Sequence, residues 1–354
     1  MLVYFGILII ILIVCAFPSN SNRKNNIKLL FCIILIFLFM ALRLDFGGDY
    51  EGYVNLYNEV QLYKTSDFSE SGFVLLNKIM PSFRMLLGTT SLLFCGALFF
   101  LYKRYISPKY WAFAFLVLFI SKYMLLGNIS GIRNSIAVSA FIFGFYFIEQ
   151  NRKILYILLL ILASFFHTSA LFFLPLVIVN PNRLSKTKSQ LLWWVCILFA
   201  ILTTLYPKMI NSFSIWLISN IDFFSRYEVY MDEQITFGYR GLSFILIFFM
   251  LYLNINTLKH KDLTLKENLL IKLSLFFYII MLLPGIGLLS RMYFYLSFPQ
   301  MGGNIYVVSR IANKQVKWAY VFGMLILPSM EFYYYAVSEH FYKYILHYHS
   351  ILFQ

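Results

Sequence analysis

The stretch IKLLFCIILIFLFMALRLDFGGDYEGY, residues 27–53, shows the pattern that decides the fold. An apolar run over residues 27–42 ends in a glycine-containing segment with the charged residues Arg43, Asp45, Asp49 and Glu51. Such a run is typical of a transmembrane helix, which needs roughly 20 predominantly apolar residues. The charged segment therefore marks the point where the chain leaves the hydrocarbon core of a membrane.

The composition extends this reading to the whole chain. Of the 354 residues, 61% are hydrophobic and only 12% are charged, and the mean hydropathy is +0.75. Soluble domains carry about 25% charged residues. At roughly 20 residues per span, the length allows about ten to twelve spans and no separate soluble domain. We therefore predict an all-α polytopic membrane protein in which residues 1–354 form a single integral membrane domain.

The apolar runs place the candidate spans. The first run lacks a basic leader and a small-residue cleavage site, so we expect it to be a retained span. Ten spans are predicted near residues 2–17, 27–42, 85–102, 110–126, 131–148, 190–206, 241–257, 269–288, 292–308 and 318–337.

The net charge of +14 is spread over short connections between these runs, not along one basic face, so it predicts topology and not nucleic-acid binding. Two long connections, residues 43–84 and 207–240, instead carry most of the acidic residues. Because basic loops stay in the cytoplasm, we expect these two long loops to be external. The basic residues of the short connections are Arg23, Lys24, Lys28, Lys103, Arg104, Lys109, Arg152, Lys153, Lys259, Lys261, Lys266, Arg310, Lys314 and Lys317.

The apolar segment 154–179 does not fit a simple crossing. Basic connections precede it and follow it, at 152–153 and in NPNRLSKTKSQ, residues 180–190. Both stay cytoplasmic if the segment breaks near His167 and returns, or forms two short helices. Broken backbone at membrane depth is tolerated only where protein or a wet cavity surrounds it. The break therefore predicts a polar interior.

Six arginines outside the cytoplasmic clusters fall near the predicted outer boundary. A guanidinium is always charged and offers a planar set of donors that matches phosphate oxygens, so a converging group would suit a pyrophosphate. Each arginine could instead anchor a span end or pair with an external acid. The six are Arg43, Arg84, Arg133, Arg226, Arg240 and Arg291.

Three positions stand out as chemical candidates. Arg133, in GNISGIRNSIAVSA, opens a predicted helix whose N-terminus could bind an anion. His167, in LASFFHTSALFFLPL, is the histidine inside an apolar run, where ionisable residues are costly and usually functional. Asp49, beside Arg43, could deprotonate an acceptor hydroxyl. The structural alternatives are a simple interface anchor for Arg133, a backbone-bonded imidazole for His167, and an ion pair of Arg43 with Asp45 or Asp49.

These motifs together resemble the EpsG-like branch of Wzy-type polysaccharide polymerases. The resemblance is carried by RLDFGGDYEGY, ESGFVLLNKI, GIRNSIAVSA, FHTSALFFLPL and SRMYFYLSF, in that order along the chain. Two positions depart from the family pattern: Asn134 replaces a usual Gln, and Ser290 replaces an acid often found before the late arginine. Position 290 therefore offers no carboxylate in this chain, which weakens the case for a site role there.

The resemblance implies a multi-pass glycosyltransferase of the bacterial inner or plasma membrane, with its active site facing the extracytoplasmic side. Such an enzyme joins polyprenyl-pyrophosphate-linked repeat units into O-antigen, capsule or exopolysaccharide, with no cofactor and no metal. Implied partners are these lipid-linked glycans, membrane lipid, and a chain-length regulator and flippase of the same pathway, and no nucleic acid. The implied catalytic residues are Asp49, Arg133 and His167, and the implied pyrophosphate ligands are Arg43, Arg133, Arg226, Arg240 and Arg291.

Two questions stay open at the level of sequence. The general base could be His167, Asp49, or an acid of the second external loop such as Asp232 or Glu233. The function could also be that of a flippase for lipid-linked oligosaccharide, or of a lipid-glycan ligase with the same donor. Against a flippase, the non-cytoplasmic arginines gather at one face, whereas a transport path needs polar groups through the membrane depth. No phosphate-binding GxxxxGK[ST], HExxH or GxSxG motif is present.

Overall fold

A computed structural model describes residues 1–64, 70–182, 242–260, 262–281, 287–337 and 348–350, with a few positions between 188 and 212. Nearly all of its regular structure is helical. The α-helices are α1 (Leu2–Ala16), α2 (Asn22–Ala41), α3 (Tyr50–Tyr63), α4 (Ser71–Ile79), α5 (Phe83–Tyr105), α6 (Trp111–Ile120), α7 (Gly127–Ser130), α8 (Ile132–Glu149), α9 (Lys153–Ser164), α10 (Leu242–Thr257), α11 (Leu265–Met281), α12 (Gly287–Arg310) and α13 (Lys314–Val337). Pro108–Tyr110 and Thr168–Ile178 form 3₁₀ helices and Lys122–Leu126 a π-helical turn.

The all-α membrane fold is confirmed. Helices α2, α5 and α8 are each long and apolar enough to cross a membrane, and a bent pair over 108–130 adds a fourth candidate. The other predicted spans also coincide with helices, with two exceptions. The span 190–206 lies largely outside the described residues, and the span 269–288 coincides with α11 only up to Met281, with 282–286 outside the described residues. The total of ten to twelve spans stays a prediction.

The span predicted over 110–126 is not continuous, and this expectation is corrected. The chain bends by 63° between Pro108–Ile120 and Lys122–Ser130. Ser121 adopts an extended backbone at the bend, with φ −95° and ψ 122°. Ser121 and Lys122 are the first strongly polar residues in this run, and the helix ends where they occur.

The chain divides into two compact units, residues 1–179 with 328–354, and residues 180–327. In the first unit α8 packs between α5 and α9. An ion pair fixes its C-terminal end, since Arg104 donates to both carboxylate oxygens of Glu149 at 3.1 and 2.9 Å. Tyr105 donates to the same carboxylate at 2.9 Å. These contacts hold α8 at a defined depth relative to α5.

The predicted break near His167 is confirmed. Helix α9 ends at Ser164, and the 3₁₀ helix begins at Thr168 after a turn over residues 165–167. The Tyr156 hydroxyl on α9 donates to the carbonyl of Phe173 on the 3₁₀ helix at 2.8 Å. Seventeen residues in a straight helix would separate these groups by about 25 Å. The segment therefore folds back on itself as a helical hairpin with His167 at its tip.

Residues 348–350 pair with the start of the first long connection, residues 43–84. His349 and Ser350 form a short strand, β2, antiparallel to β1 (Arg43–Leu44). The Tyr348 ring stacks on Phe39, with centroids 4.5 Å apart. The end of α2 and the start of the first long loop are thereby tied to the chain terminus.

The second unit contains α10–α12 and most of α13. Its centre holds a buried polar network in which the amide of Asn304 bonds with Tyr278 at 2.6 Å and Tyr320 donates back at 2.7 Å. Asn254 donates to Tyr320 at 2.7 Å. Hydrogen bonds of this kind hold helices together where lipid gives no hydrophobic driving force.

Candidate active site

An apolar cluster places the first long loop over the start of α8. Tyr53 and Tyr57 of α3 and Phe73 of α4 are packed with Ile132 and Ile136 of α8, and all are nearly buried. The cluster also includes Leu86 and Leu87 of α5. It brings the N-terminus of α4 next to the N-terminus of α8. Residues at these two helix starts can therefore meet.

The antiparallel arrangement of α8 and α9 brings a third segment to the same place. Helix α8 runs 18 residues away from its start, and α9 returns over 12 residues along it. The hairpin tip with His167 thus lies near Arg133, in the first turn of α8. Sequence analysis selected both residues independently, and the fold brings them to one cluster.

Glu70 lies directly before α4, at the centre of a charged cluster with Arg133 and His167 that is distinct from the apolar cluster. One carboxylate oxygen, Oε2, accepts a hydrogen bond from Arg133 Nη1 at 2.7 Å. The other, Oε1, lies 3.3 Å from His167 Nδ1. The side chains of Glu70, Arg133 and His167 are 16%, 26% and 10% exposed. The three groups form one partly buried charged cluster, with the arginine closest to the surface.

Backbone contacts fix the Glu70 carboxylate. The backbone N–H and the hydroxyl of Thr168 donate to Oε1 at 3.2 and 3.3 Å. Thr168 opens the 3₁₀ helix, so the carboxylate faces a positive helix N-terminus. Two residues after Glu70, the N–H of Gly72 donates to the Phe165 carbonyl at 2.9 Å. The start of α4 is therefore docked on the hairpin tip.

The position of Gly72 requires glycine. A Cβ there would lie 2.7 Å from the Phe165 carbonyl oxygen and 2.9 Å from the Phe165 Cβ. Distances below 3.0 Å essentially never occur for real Cβ atoms. The absence of a side chain thus allows α4 to approach the hairpin closely enough for Glu70 to reach His167.

The cluster keeps Glu70 ionised. Burial by itself raises the pKa of the Glu70 carboxyl, but the nearby His167 imidazole and the positive charge of Arg133 outweigh it and lower the pKa to about 2. At neutral pH Glu70 is a fixed negative charge. It acts as an electrostatic partner and is a poor proton acceptor.

Tyr53 forms one side of the cluster. Its ring centroid lies 5.8 Å from Arg133 Cζ, within the range of a cation–π contact. The ring also packs edge-on against Phe73 of α4, at 5.8 Å. Arg133 is therefore held between the aromatic face of α3 and the carboxylate before α4.

The contacts of Arg43 are separate from these and are made with backbone carbonyl groups. It is 2% exposed, and its guanidinium donates to the carbonyls of Met40 and of Ile129, the latter at 2.9 Å. Burial lowers its pKa to about 10, which leaves it cationic at neutral pH. Arg43 thus fixes the segment 127–131 that leads into α8. Its predicted contact with a pyrophosphate stays a prediction.

The same segment receives the glycine turn of the first loop. Gly47 adopts φ +111°, and a Cβ there would lie 3.2 Å from Ser130 Cα. The N–H of Gly48 donates to the Ser130 hydroxyl at 3.2 Å. Gly47 therefore permits a close approach of this loop to the start of α8.

The remaining predicted residues are placed as follows. Asp49 is exposed and occupies the N-cap position of α3, where its charge acts on Tyr53. Arg291 lies half-buried on α12 in the second unit. Arg226, Arg240, Asp232 and Glu233 lie outside the described residues. The site roles predicted for all of these residues stay predictions.

Glu70 was not among the predicted site residues, because it is one of several acids in the first long connection, residues 43–84. The signal was present in ESGFVLLNKI, one of the motifs that carry the family resemblance, where the acid directly precedes a glycine and an apolar helix. Its partners are 63 and 97 or more residues away, so only the fold shows the cluster.

The described residues contain no group of three or more His, Cys, Asp or Glu side chains arranged to hold a metal ion. The cluster has one carboxylate and one imidazole beside a guanidinium. The guanidinium of Arg133 is the group of this cluster that suits a phosphate-bearing ligand.

The fold and this cluster define a polytopic α-helical membrane protein with a candidate anion-binding catalytic site at helix ends. The chain belongs to the EpsG family, whose family model matches residues 27–350. No curated protein matches the chain, and no solved structure does. Membership of this family suggests a role as a polysaccharide polymerase.

Proposed function

We propose that the protein is a membrane glycosyltransferase that polymerises polyprenyl-pyrophosphate-linked oligosaccharide repeat units on the extracytoplasmic face. The observation that carries the proposal is the contact of Glu70 with both Arg133 and His167. Through Glu70, the cation Arg133, which suits phosphate, is placed near the imidazole of His167, which can transfer a proton. The family of the chain suggests polymerisation.

Arg133 supplies the charge stabilisation that the reaction needs. As the sugar–phosphate bond breaks, negative charge develops on the departing polyprenyl pyrophosphate. A guanidinium beside a helix N-terminus stabilises that charge. The Arg133 side chain is 26% exposed, so part of it is accessible from the surface.

The charge pattern supports the extracytoplasmic face. The cluster is built on the acidic first loop at the start of α8, whereas the end of α8 leads to the basic pair Arg152 and Lys153. Under the positive-inside rule, the end of α8 is cytoplasmic and Arg133 faces outward. A lipid-linked repeat unit that has already crossed the membrane would meet this side.

The test is an in vitro assay of purified protein in nanodiscs with polyprenyl-pyrophosphate-linked repeat units of its own organism. The wild-type protein is expected to produce a ladder of lengthening lipid-linked glycans. Arg133→Ala is expected to slow this by about 100- to 1000-fold, as for other lost charge-stabilising donors. Glu59→Gln, a charge-removing change on α3 of the same loop but outside the cluster, should retain the wild-type rate.

Two results would point to other functions. Bound substrate without a ladder, together with crossing of the glycan lipid in sealed vesicles, would identify a flippase. Transfer of one intact glycan to a different lipid acceptor, with no ladder, would identify a ligase.

A further inference from the structure

We propose that Glu70 is a positioning residue that holds His167 as the general base for the acceptor sugar hydroxyl. The inference deepens the proposed polymerase function and rests on it. Its basis is the approach of Glu70 Oε1 to His167 Nδ1 at 3.3 Å, at a hairpin tip whose backbone is fixed.

The geometry selects one tautomer of His167. An ionised carboxylate only accepts hydrogen bonds, so the imidazole nitrogen that faces it carries the proton. With the proton on Nδ1, the neutral ring has its lone pair on Nε2. The carboxylate therefore sets which ring nitrogen is basic and also which way the ring is oriented.

The remaining contacts of Glu70 prevent it from turning away. Oε2 is held by Arg133 at 2.7 Å, and Oε1 also accepts from the Thr168 backbone at 3.2 Å. Because Thr168 directly follows His167, carboxylate and imidazole are fixed to the same turn of chain. The ring itself is only 10% exposed.

Charge argues for His167 over Glu70 as the base. The pKa of Glu70, at about 2, lies far below the neutral pH at which a useful base must accept a proton. An imidazole titrates near neutral pH and suits this role. Asp49, the described alternative, is exposed at the start of α3, whereas His167 lies beside the arginine proposed to stabilise the leaving group.

The proposed step is balanced as follows. The proton of the acceptor hydroxyl moves to His167 Nε2 while the hydroxyl oxygen forms a bond to the anomeric carbon of the donor. The bond from that carbon to the phosphate oxygen breaks, and polyprenyl pyrophosphate leaves with the electron pair. The proton then passes from the imidazolium to the departing pyrophosphate or to water, which restores the neutral ring.

The kinetic test compares Glu70→Gln and His167→Gln with wild type in the polymerisation assay across pH. Loss of the base in His167→Gln is expected to lower kcat by about 100- to 10,000-fold. Glu70→Gln is expected to lower kcat by up to about 10,000-fold with little change in KM, as when a catalytic histidine loses its orienting carboxylate. Glu70→Asp should recover part of the rate, and Glu59→Gln serves as the matched control.

The pH profile separates positioning from a merely structural role. Among the described residues, the Glu70 carboxylate faces the His167 ring, and Arg133 pairs with the other oxygen of the same carboxylate. Glu70 favours the protonated imidazolium and Arg133 disfavours it. Removing the carboxylate should therefore move the acidic limb of the kcat profile about one pH unit lower. A folded Glu70→Gln variant with wild-type kcat, or with an unmoved limb, would overturn the proposal.

A second measurement does not depend on turnover. In ¹⁵N-histidine-labelled protein, the His167 signals, assigned by their loss in His167→Gln, report which ring nitrogen is protonated. The proposal predicts protonation at Nδ1 in wild type and loss of this preference in Glu70→Gln. Protonation at Nε2 in wild type would overturn it, even if the wild-type protein forms a ladder. Conversely, absence of a ladder would remove the polymerase function while leaving the Glu70–His167 pairing intact.

Discussion

Replacing Gly72 with alanine should separate α4 from the hairpin tip. The new Cβ would lie 2.7 Å from the Phe165 carbonyl oxygen and 3.0 Å from its carbon, whereas ordinary contacts begin near 3.4 Å. The two segments must therefore move apart by several tenths of an ångström. The obstacle is mostly backbone, so rotation of a side chain cannot relieve it.

The stability change follows from this geometry. Overpacking of this kind costs about 1–3 kcal/mol. The preference of alanine over glycine in a helix returns up to about 1 kcal/mol. We expect a net loss of about 1–2 kcal/mol, seen as a lower Tm in detergent.

Activity should fall by more than the stability change suggests. Glu70 is two residues from Gly72, so a shift of α4 lengthens its contacts with His167 and Thr168. A misplacement of about 1 Å can cost about 100-fold in rate. The assay is ladder formation at a temperature where the variant is fully folded.

Gly52→Ala provides the matched control. Gly52 lies on α3 of the same loop, and a Cβ there meets nothing within 4 Å. This variant should be as stable as wild type or slightly more stable, with an unchanged rate. If Gly72→Ala behaved in the same way as Gly52→Ala, the docking of α4 on the hairpin would be refuted.

Three further predictions concern charges and buried polar groups. Because the pKa of Glu70 is lowered from 4.5 to about 2, its contribution to stability is complete above pH 4.5 and is lost as the pH falls toward 2. Between pH 6 and 3, the free energy of unfolding should therefore fall more steeply for wild type than for Glu70→Gln. Parallel curves for the two proteins would contradict this. Glu149→Gln should weaken the bidentate ion pair with Arg104 and lower Tm with little change in kcat. An unchanged Tm would show that the pair does not contribute to stability. Asn304→Leu should lower the free energy of unfolding by about 1–2 kcal/mol because Tyr278 loses its amide partner in a buried network. Chemical unfolding measures this change, and an unchanged free energy would show that the network is dispensable.

Sequence periodicity predicted the helices well because a long apolar run has few alternatives in a membrane. The break at His167 was also predictable, since two basic connections had to lie on the same side. The bend at Ser121 was missed because an apolar run with a serine and a lysine near its end reads as one span. The hydropathy of a segment indicates how long and how polar the segment is, but it does not indicate where the helix bends.

The candidate site was predictable only in part. Arg133 and His167 were identifiable because each is a polar group in an apolar setting. Glu70 was not, because an acid in an acidic loop gives no local sign of a partner far along the chain. Arg43 was predicted to lie near the outer membrane boundary, and only the fold shows it buried against the carbonyls of Met40 and Ile129.

The central claim is that this chain polymerises lipid-linked repeat units, and its most direct test measures both products of that reaction. Purified wild-type protein would be given polyprenyl-pyrophosphate-linked repeat units, and both glycan length and released polyprenyl pyrophosphate would be quantified. We expect a ladder spaced by one repeat unit, with one polyprenyl pyrophosphate released per unit joined. Intact substrate, with no release and no ladder, would contradict it.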